Sequence, residues 1–200
     1  ESSKELMQLK GYVDLLLPRG SASLINSVVE NAKVPVIETG VGNCHIYVDQ
    51  DADIENAIKI IENAKTQRIG VCNAMESLVV NENLEDKFYD LLNEVVEKYK
   101  IKVHADEKSL PKFKNAVPAT EDDFGREYLD YEFSVKTVKD VDQAIDHITR
   151  YSTGHSEAIL TKSYENAMKF LEGVDSACVY VNASTRFTDG GEFGKGAELG

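Results

Sequence analysis

Apolar and polar positions along this chain fall into blocks that predict strands followed by helices. Between Ile54 and Ala64 the apolar residues recur at intervals of three and four, which is the spacing of one buried helix face. Short apolar runs such as Leu78–Val80 suit buried strands. Further strands are predicted in DLLLP, VPVIETG, CHIYVD, IKVHA, YEFSVKTV, SEAILT and SACVYVNAS, and further helices in SASLINSVVENA, NLEDKFYDLLNEVVEKYK, DVDQAIDHITRYS and SYENAMKFLEGV.

This regular alternation predicts an α/β fold, with a mostly parallel sheet and helices on its faces. SLPKFK suggests a short helix, and PATEDDFGRE is interpreted as a polar connection. A soft boundary is predicted near residue 70, which separates residues 1–70 from residues 71–200. No linker rich in proline or serine marks that boundary.

Composition narrows the class of protein. The chain has 200 residues and a net charge of −13, which argues against nucleic-acid binding because that needs clustered Lys and Arg. No apolar run approaches the roughly 18 residues of a membrane span, and no leader opens the chain, so we expect a cytoplasmic protein.

The three cysteines of the chain, an odd number in no close pair, indicate reduced thiols. Because the chain begins at Glu1 and stops in a glycine-rich segment, we expect it to be a piece of a longer protein.

Cys72 is the leading candidate for a chemical role. It lies between a predicted helix and a predicted strand, and Gly70 two residues earlier would let backbone approach closely. A turn beginning at Cys72 would point backbone N–H groups at the sulfur, stabilising a thiolate and an oxyanion beside it. The alternative is a buried small hydrophobe, the usual role of a free cysteine; the junction position favours a nucleophile.

Histidines and metal ligands add little to this interpretation. His104 and His147 lie on packed elements and are expected to be structural, whereas His155 at a helix-to-strand turn is the more exposed candidate. Cys44 and His45 are adjacent, so their side chains would point to opposite faces of a strand, and no metal site is predicted.

Two segments could bind anions. PRGSAS joins a predicted strand to a capped helix, where free N–H groups can hold phosphate, although an ordinary turn is an equal alternative. The final glycine-rich segment follows the last strand, where ligand sites gather in α/β proteins. Asn182, Ser184, Thr185 and Arg186 in this segment could bind a small anionic substrate, with Arg186 suited to a carboxylate or phosphate. A loop that merely covers the sheet is the other possibility.

Four segments in order resemble the γ-glutamyl phosphate reductases (glutamate-5-semialdehyde dehydrogenases), a branch of the aldehyde dehydrogenase superfamily. They are NAKTQRIGVCN, GNCHIYVD, VKDVDQAIDHITRYSTGHSEAI and VNASTRFTDGGEFGKGAE. The resemblance runs from about Asp14 to the end of the chain. It implies an aldehyde dehydrogenase-like fold, in which residues 1–70 are the later part of the dinucleotide-binding domain and residues 71–200 the catalytic domain. Enzymes of this family are about twice as long, so most of the cofactor domain would precede Glu1.

The resemblance also assigns roles by position. Cys72 matches the nucleophile, Gly20 and Ser21 match a loop beside the cofactor, and Glu127 matches a glutamate that holds the nicotinamide ribose. Asn182 to Phe187 match the substrate-side loop. Glu38 matches a general base that hydrolytic relatives use to activate water, a step that a reductase of acyl phosphates does not need.

The implied activity is the NADPH-dependent reduction of γ-glutamyl 5-phosphate to glutamate-5-semialdehyde and phosphate, through a Cys72 thioester, in proline biosynthesis. The implied cofactor is NADP, and the full-length protein is expected to form homo-oligomers. A second hypothesis is that these 200 residues alone are an inactive substrate-binding or assembly module. A third, a Cys-His hydrolase, is disfavoured because no motif ties a histidine to Cys72.

Overall fold

The structure, a computed structural model, describes residues 2–20, 22–38 and 40–196. The chain forms two compact units, of which the first ends at Val41 and the second begins at Gly42.

The first unit is built on two helices, α1 (Ser2–Leu6) and α2 (Ala22–Asn31). Met7, Val28 and Val34 form its buried centre. The two strands predicted in DLLLP and VPVIETG are reduced to a single parallel bridge between Leu16 and Val36. A two-stranded pair on its own is marginal in water, which explains why the ladder does not extend further among the described residues.

The second unit is a seven-stranded sheet with helices on both faces. Its strands are β1 (Cys44–Val48), β2 (Met75–Asn81), β3 (Lys102–Ala105), β4 (Val117–Pro118), β5 (Glu132–Val138), β6 (Ser156–Leu160) and β7 (Cys178–Val181). Its helices are α3 (Ile54–Thr66), α4 (Asp86–Tyr99), α5 (Glu121–Phe124), α6 (Val141–Tyr151) and α7 (Tyr164–Gly173), with short 3-10 turns at Leu110–Lys112 and Thr185–Phe187. This confirms the predicted α/β class.

The strands lie in the order β4-β3-β5-β2-β1-β6-β7, and every pairing is parallel. All residues of β1 and β2 are buried, as expected for central strands covered on both faces. Alternate residues point to opposite faces of the sheet. Ile46 and Leu78 pack into the core that includes α3 and α4. Tyr47 and Val79 pack into the core that includes α6 and α7.

Side-chain caps fix where several helices begin. The carboxylate of Asp53 accepts the N–H of Asn56 at the start of α3, and Asp140 accepts that of Gln143 at the start of α6. The stretch PATEDDFGRE, interpreted from sequence as a polar connection, contains α5 and the last residue of β4. Thr120 and Asp123 form a capping box there, and their spacing is a sequence signal for a helix start.

The boundary between compact units differs from the division predicted near residue 70. Strand β1 pairs with both β2 and β6, so residues 44–48 lie inside the sheet of the second unit. Helix α3 packs on the same sheet through Ala57, Ile61 and Ala64. The assignment of residues 1–70 to a cofactor domain and 71–200 to a catalytic domain stays a prediction. Among the described residues no helix is long and apolar enough to cross a membrane.

Candidate active site

Cys72 lies in a tight turn three residues before β2, at the amino-terminal edge of the parallel strands. The N–H of Ala74 donates to the carbonyl of Val71 at 3.1 Å and closes the turn. The Cys72 side chain is half-buried. The structure therefore places the cysteine in a turn at a helix-to-strand junction, as the sequence predicted.

The close approach of backbone to this turn occurs at Gly42. A Cβ added there would lie 1.8 Å from the carbonyl oxygen of Cys72 and 2.5 Å from its Cα, which no side chain could tolerate. At Gly70, the glycine that the sequence favoured for this role, a Cβ would meet nothing within 4 Å. The expectation for Gly70 was wrong because the partner backbone comes from residues far apart in the chain.

Cys44 forms a hydrogen bond with the same carbonyl oxygen of Cys72. Its Sγ donates to the Cys72 oxygen at 3.2 Å, and its side chain is fully buried. Burial, with the nearby carboxylate of Glu157 as a second cause, raises the pKa of the Cys44 thiol well above its usual value. Cys44 therefore stays protonated and acts as a donor that fixes the peptide following Cys72.

Glu127 reaches the same place from the loop after α5. Its Oε1 accepts the N–H of Gly42 at 2.8 Å, and its side chain is half-buried. The other carboxylate oxygen has no hydrogen-bond partner among the described residues. That oxygen could accept a hydroxyl, such as one from a ribose.

The segment after β7 returns to this edge of the sheet. Thr185 is buried and donates its hydroxyl to the carbonyl of Asn73 at 2.8 Å. Asn73 in turn donates to the carbonyl of Thr188 at 2.8 Å. The hydroxyls of Thr188 and Ser156, the first residue of β6, lie 2.6 Å apart. Ligand sites of α/β folds usually lie beyond the carboxyl ends of strands, whereas these contacts bring residues 185–188 to the amino-terminal edge, beside the Cys72 turn.

Arg186 belongs to this cluster. Its guanidinium hydrogen-bonds the side-chain oxygen of Asn73, and its Nε donates to Oε1 of Gln67 at 3.1 Å. It also lines a cavity of about 110 Å³ with Asn63, Gln67, Phe187 and Glu192. The side chain is half-buried, so a cationic group faces this cavity beside Asn73, the residue that follows Cys72.

The remaining two residues of the predicted substrate set point elsewhere. Asn182 donates to the carbonyl of Thr161 at 2.8 Å and accepts the Thr161 N–H at 3.0 Å, so its amide joins the carboxyl ends of β6 and β7. Ser184 is buried, and its Oγ accepts the N–H of Arg186 at 3.2 Å. The structure thus brings Cys72, Glu127, Thr185 and Arg186 into one neighbourhood, while Asn182 lies at the opposite edge of the sheet.

The histidines are largely accounted for by packing. His104 lies between Asp123 and Glu132, at 3.2 Å and 2.8 Å. Burial, with the nearby His45 as a second cause, lowers the pKa of His147 to about 3. The Nδ1 of His155 lies 2.8 Å from the hydroxyl of Ser156 and 3.8 Å from Sγ of Cys44.

Three positioning residues were missed by the sequence: Gly42, Cys44 and Asn73. Gly40 and Gly42 precede CHIYVD but lack the full G-x-G-x-x-G pattern of a dinucleotide-binding turn, so they give only a weak signal for such a site. A glycine just before a buried strand was nevertheless a signal for close backbone approach. Cys44 and Asn73 carry no comparable sequence signal, because their contacts join segments 28 and 115 residues apart.

The cofactor residues predicted in the first unit are only partly described. Gly20 precedes α2 with φ of 145°, a conformation that favours glycine, and a Cβ there would lie 3.0 Å from Leu24. Ser21 lies outside the described residues. Glu38 is exposed in this unit. Among the described residues no three His, Cys, Asp or Glu side chains come together as metal ligands.

This chain is similar to known γ-glutamyl phosphate reductases along almost its whole length. The chain is 56% identical over 196 residues to a γ-glutamyl phosphate reductase of Lachnospira eligens, which covers 98% of this chain and 47% of that protein. The crystal structure of the γ-glutamyl phosphate reductase of Thermotoga maritima superposes with a TM-score of 0.93 at 54% identity, covering 98% of this chain and 48% of that one. The Saccharomyces cerevisiae γ-glutamyl phosphate reductase gives a TM-score of 0.60 at 34% identity, with 96% and 48% covered.

The chain therefore spans about half the length of the curated relatives it matches. A sequence profile of the aldehyde dehydrogenase family matches residues 7–110, just over half of the chain, including the Cys72 turn, β1 and β2. Together with the all-parallel sheet and the turn at its amino-terminal edge, this match shows that the chain belongs to the aldehyde dehydrogenase family.

Proposed function

We propose that the full-length protein carrying this chain reduces γ-glutamyl 5-phosphate to glutamate-5-semialdehyde and phosphate, with NADPH as reductant, as a step of proline biosynthesis. The Cys72 turn carries the proposal: it is packed against Gly42 and joined through Asn73 to the segment at residues 185–188. Its neighbourhood provides a nucleophile, oriented backbone and a cation in one place. The names of the relatives, which match along almost the whole of this chain, suggest the substrate.

Cys72 begins the proposed reaction as a thiolate. Its sulfur attacks the acyl carbon of γ-glutamyl phosphate, a C–S bond forms, and the C–O bond to phosphate breaks, leaving a thioester and free phosphate. Because the Cys72 carbonyl is held towards Cys44 and the peptide is trans, the N–H of Asn73 points to the opposite side of that peptide. The N–H groups of Cys72 and Asn73 are the proposed donors to the oxyanion.

The second half of the reaction requires a hydride donor. A nicotinamide cofactor, when bound, would supply the hydride for the thioester carbon. Glu127 fits such a group, since one of its carboxylate oxygens is fixed by Gly42 and the other can accept a ribose hydroxyl. The resulting thiohemiacetal on Cys72 collapses, its C–S bond breaks, and glutamate-5-semialdehyde leaves with the thiolate regenerated. Arg186 is proposed to bind the carboxylate or phosphate of the substrate.

The reaction run in reverse gives a direct test. In the full-length protein, oxidation of glutamate-5-semialdehyde by NADP should require inorganic phosphate, because phosphate releases the acyl group from Cys72. Cys72→Ser should lower kcat by at least about a thousandfold, since the hydroxyl is a far weaker nucleophile. Cys178→Ser, on β7 and half-buried, is the matched control and should keep most of the activity. Turnover that survives Cys72→Ser, or that needs no phosphate, would refute the proposal.

The 200 residues alone are proposed to be inactive, because they span only about half the length of the relatives. In that case the isolated chain would act as a substrate-binding or assembly module. Calorimetric titration of the isolated chain with NADPH tests this: micromolar binding would contradict it. Cytoplasmic location and homo-oligomer formation of the full-length protein stay predictions.

A further inference from the structure

A buried ion pair joins α3 to β2, four residues beyond Cys72. Nζ of Lys65 donates to Oε2 of Glu76 at 2.8 Å, and the two side chains are 1% and 0% exposed. Burial lowers the pKa of Lys65 and raises the pKa of Glu76 to about 7, while the charge of each partner opposes the shift of the other. Buried pairs of this kind often stabilise a protein no more than apolar residues of similar volume. Stability alone therefore does not explain why this pair is present.

The Glu76 carboxylate has a second set of partners. It accepts the backbone N–H groups of Tyr128 and Leu129, each at 3.3 Å. Leu129 has φ of 55°, the left-handed conformation, which is unfavourable for a residue that carries a Cβ. Glu76 thus fixes a loop whose backbone would not adopt this shape by itself.

This loop also contacts the residue that packs on the backbone of Cys72. Glu127, one residue before Tyr128, accepts the N–H of Gly42, and Gly42 packs directly on the carbonyl of Cys72. A continuous series of short contacts therefore leads from Lys65 to Cys72. Because Gly42 leaves no space beside the Cys72 carbonyl, a shift of the Glu127 loop is transmitted to the position of the turn.

We propose that Glu76 is a positioning residue for the chemistry of Cys72: held by Lys65, it fixes the loop of residues 127–129, whose Glu127 sets Gly42 against the nucleophile's backbone. This inference rests on the proposed function. It predicts that the carboxylate matters through the two N–H groups that it accepts, and that its effect falls on kcat more than on substrate binding.

Two double variants of the full-length protein separate this role from simple stability. Lys65→Met with Glu76→Leu removes both charges and every acceptor, whereas Lys65→Met with Glu76→Gln removes the charges but keeps an amide oxygen as acceptor. Both should keep a melting temperature near that of the parent, since the buried charges leave together. The leucine variant should lose roughly tenfold in kcat with a smaller change in KM. The glutamine variant should recover part of that loss, because its single oxygen replaces one of the two carboxylate oxygens that accept these N–H groups.

Amide hydrogen exchange at Tyr128 and Leu129 gives a readout that needs no activity. Exchange should accelerate at both amides in the leucine variant, whereas in the glutamine variant the amide that still faces the side-chain oxygen should stay protected. Glu76→Asp, which keeps the carboxylate on a shorter side chain, should show faster exchange and lower kcat together, and serves if the leucine variant does not fold. Equal kcat in the two double variants, or unchanged exchange in the leucine variant, would overturn the inference. The phosphate and Cys72→Ser experiments decide the proposed function separately.

Discussion

Gly42 and Gly70 are both glycines near Cys72, but they differ in the space available for a side chain. The backbone of Cys72 occupies the space where a Gly42 side chain would be, whereas the space at Gly70 is open. The difference is purely steric, because neither residue has a positive φ. Sequence position alone favoured Gly70, since it precedes Cys72 by two residues, and could not show which remote segment approaches the turn.

Gly42→Ala should therefore displace the Cys72 turn. We expect kcat of the full-length protein to fall by about a hundredfold, because displacement of a reacting group by about 1 Å has that effect. The free energy of unfolding should fall by about 1–3 kcal/mol, as for other overpacked sites. Steady-state kinetics and urea denaturation measure the two effects.

Gly70→Ala is the control for this substitution. With no atom within 4 Å of the added methyl group, it should change the free energy of unfolding by less than about 0.5 kcal/mol and leave kcat near that of the parent. If Gly42→Ala retains parental kcat, the close packing beneath Cys72 has no catalytic consequence.

Helix starts show how local chemistry sets element boundaries. Asp140 precedes α6 in extended conformation and its carboxylate accepts the N–H of Gln143 at 2.9 Å. Glu85 precedes α4 in a similar conformation but makes no side-chain cap. Two acidic residues at equivalent positions thus differ in one hydrogen bond.

Asp140→Ala should lower the free energy of unfolding by about 1 kcal/mol, because an N–H of α6 loses its partner. Asp140→Asn should recover most of the loss, since the amide oxygen also accepts. Glu85→Ala should cost only a few tenths of a kcal/mol by comparison. Urea denaturation curves of the three variants compare them, and an equal loss at Glu85 and Asp140 would show that the cap is not the cause.

The elements that were predicted well are those with strong local signals. Helices α3, α4, α6 and α7 have periodic apolar faces, and the buried strands β1, β2 and β6 are short apolar runs, so their existence could be predicted from the sequence. β4 was missed because two residues give no period. The return of residues 185–188 to the Cys72 turn could not be predicted either, since it depends on contacts such as that between Thr185 and Asn73, 112 residues apart.

The order of strands is a property of the whole unit. Alternating strands and helices predicted a parallel sheet, but not that β5 would lie between β3 and β2, or that β1 would separate β2 from β6. The central place of β1 also explains the difference between the predicted boundary near residue 70 and the observed limit of the compact unit at Gly42. Because β1 pairs with a strand on each side, it belongs to the sheet of the compact unit that begins at Gly42.

Truncated chains test whether the second compact unit begins at Gly42. A chain of residues 42–200 retains all seven strands and should unfold in urea as a single cooperative transition. A chain of residues 71–200 lacks β1 and α3, so β2 and β6 lose their common partner, and the apolar side chains that α3 covers become exposed. We expect it to show no cooperative transition by circular dichroism. If residues 71–200 unfold cooperatively and residues 42–200 gain nothing over them, β1 is dispensable and the compact unit begins near residue 70.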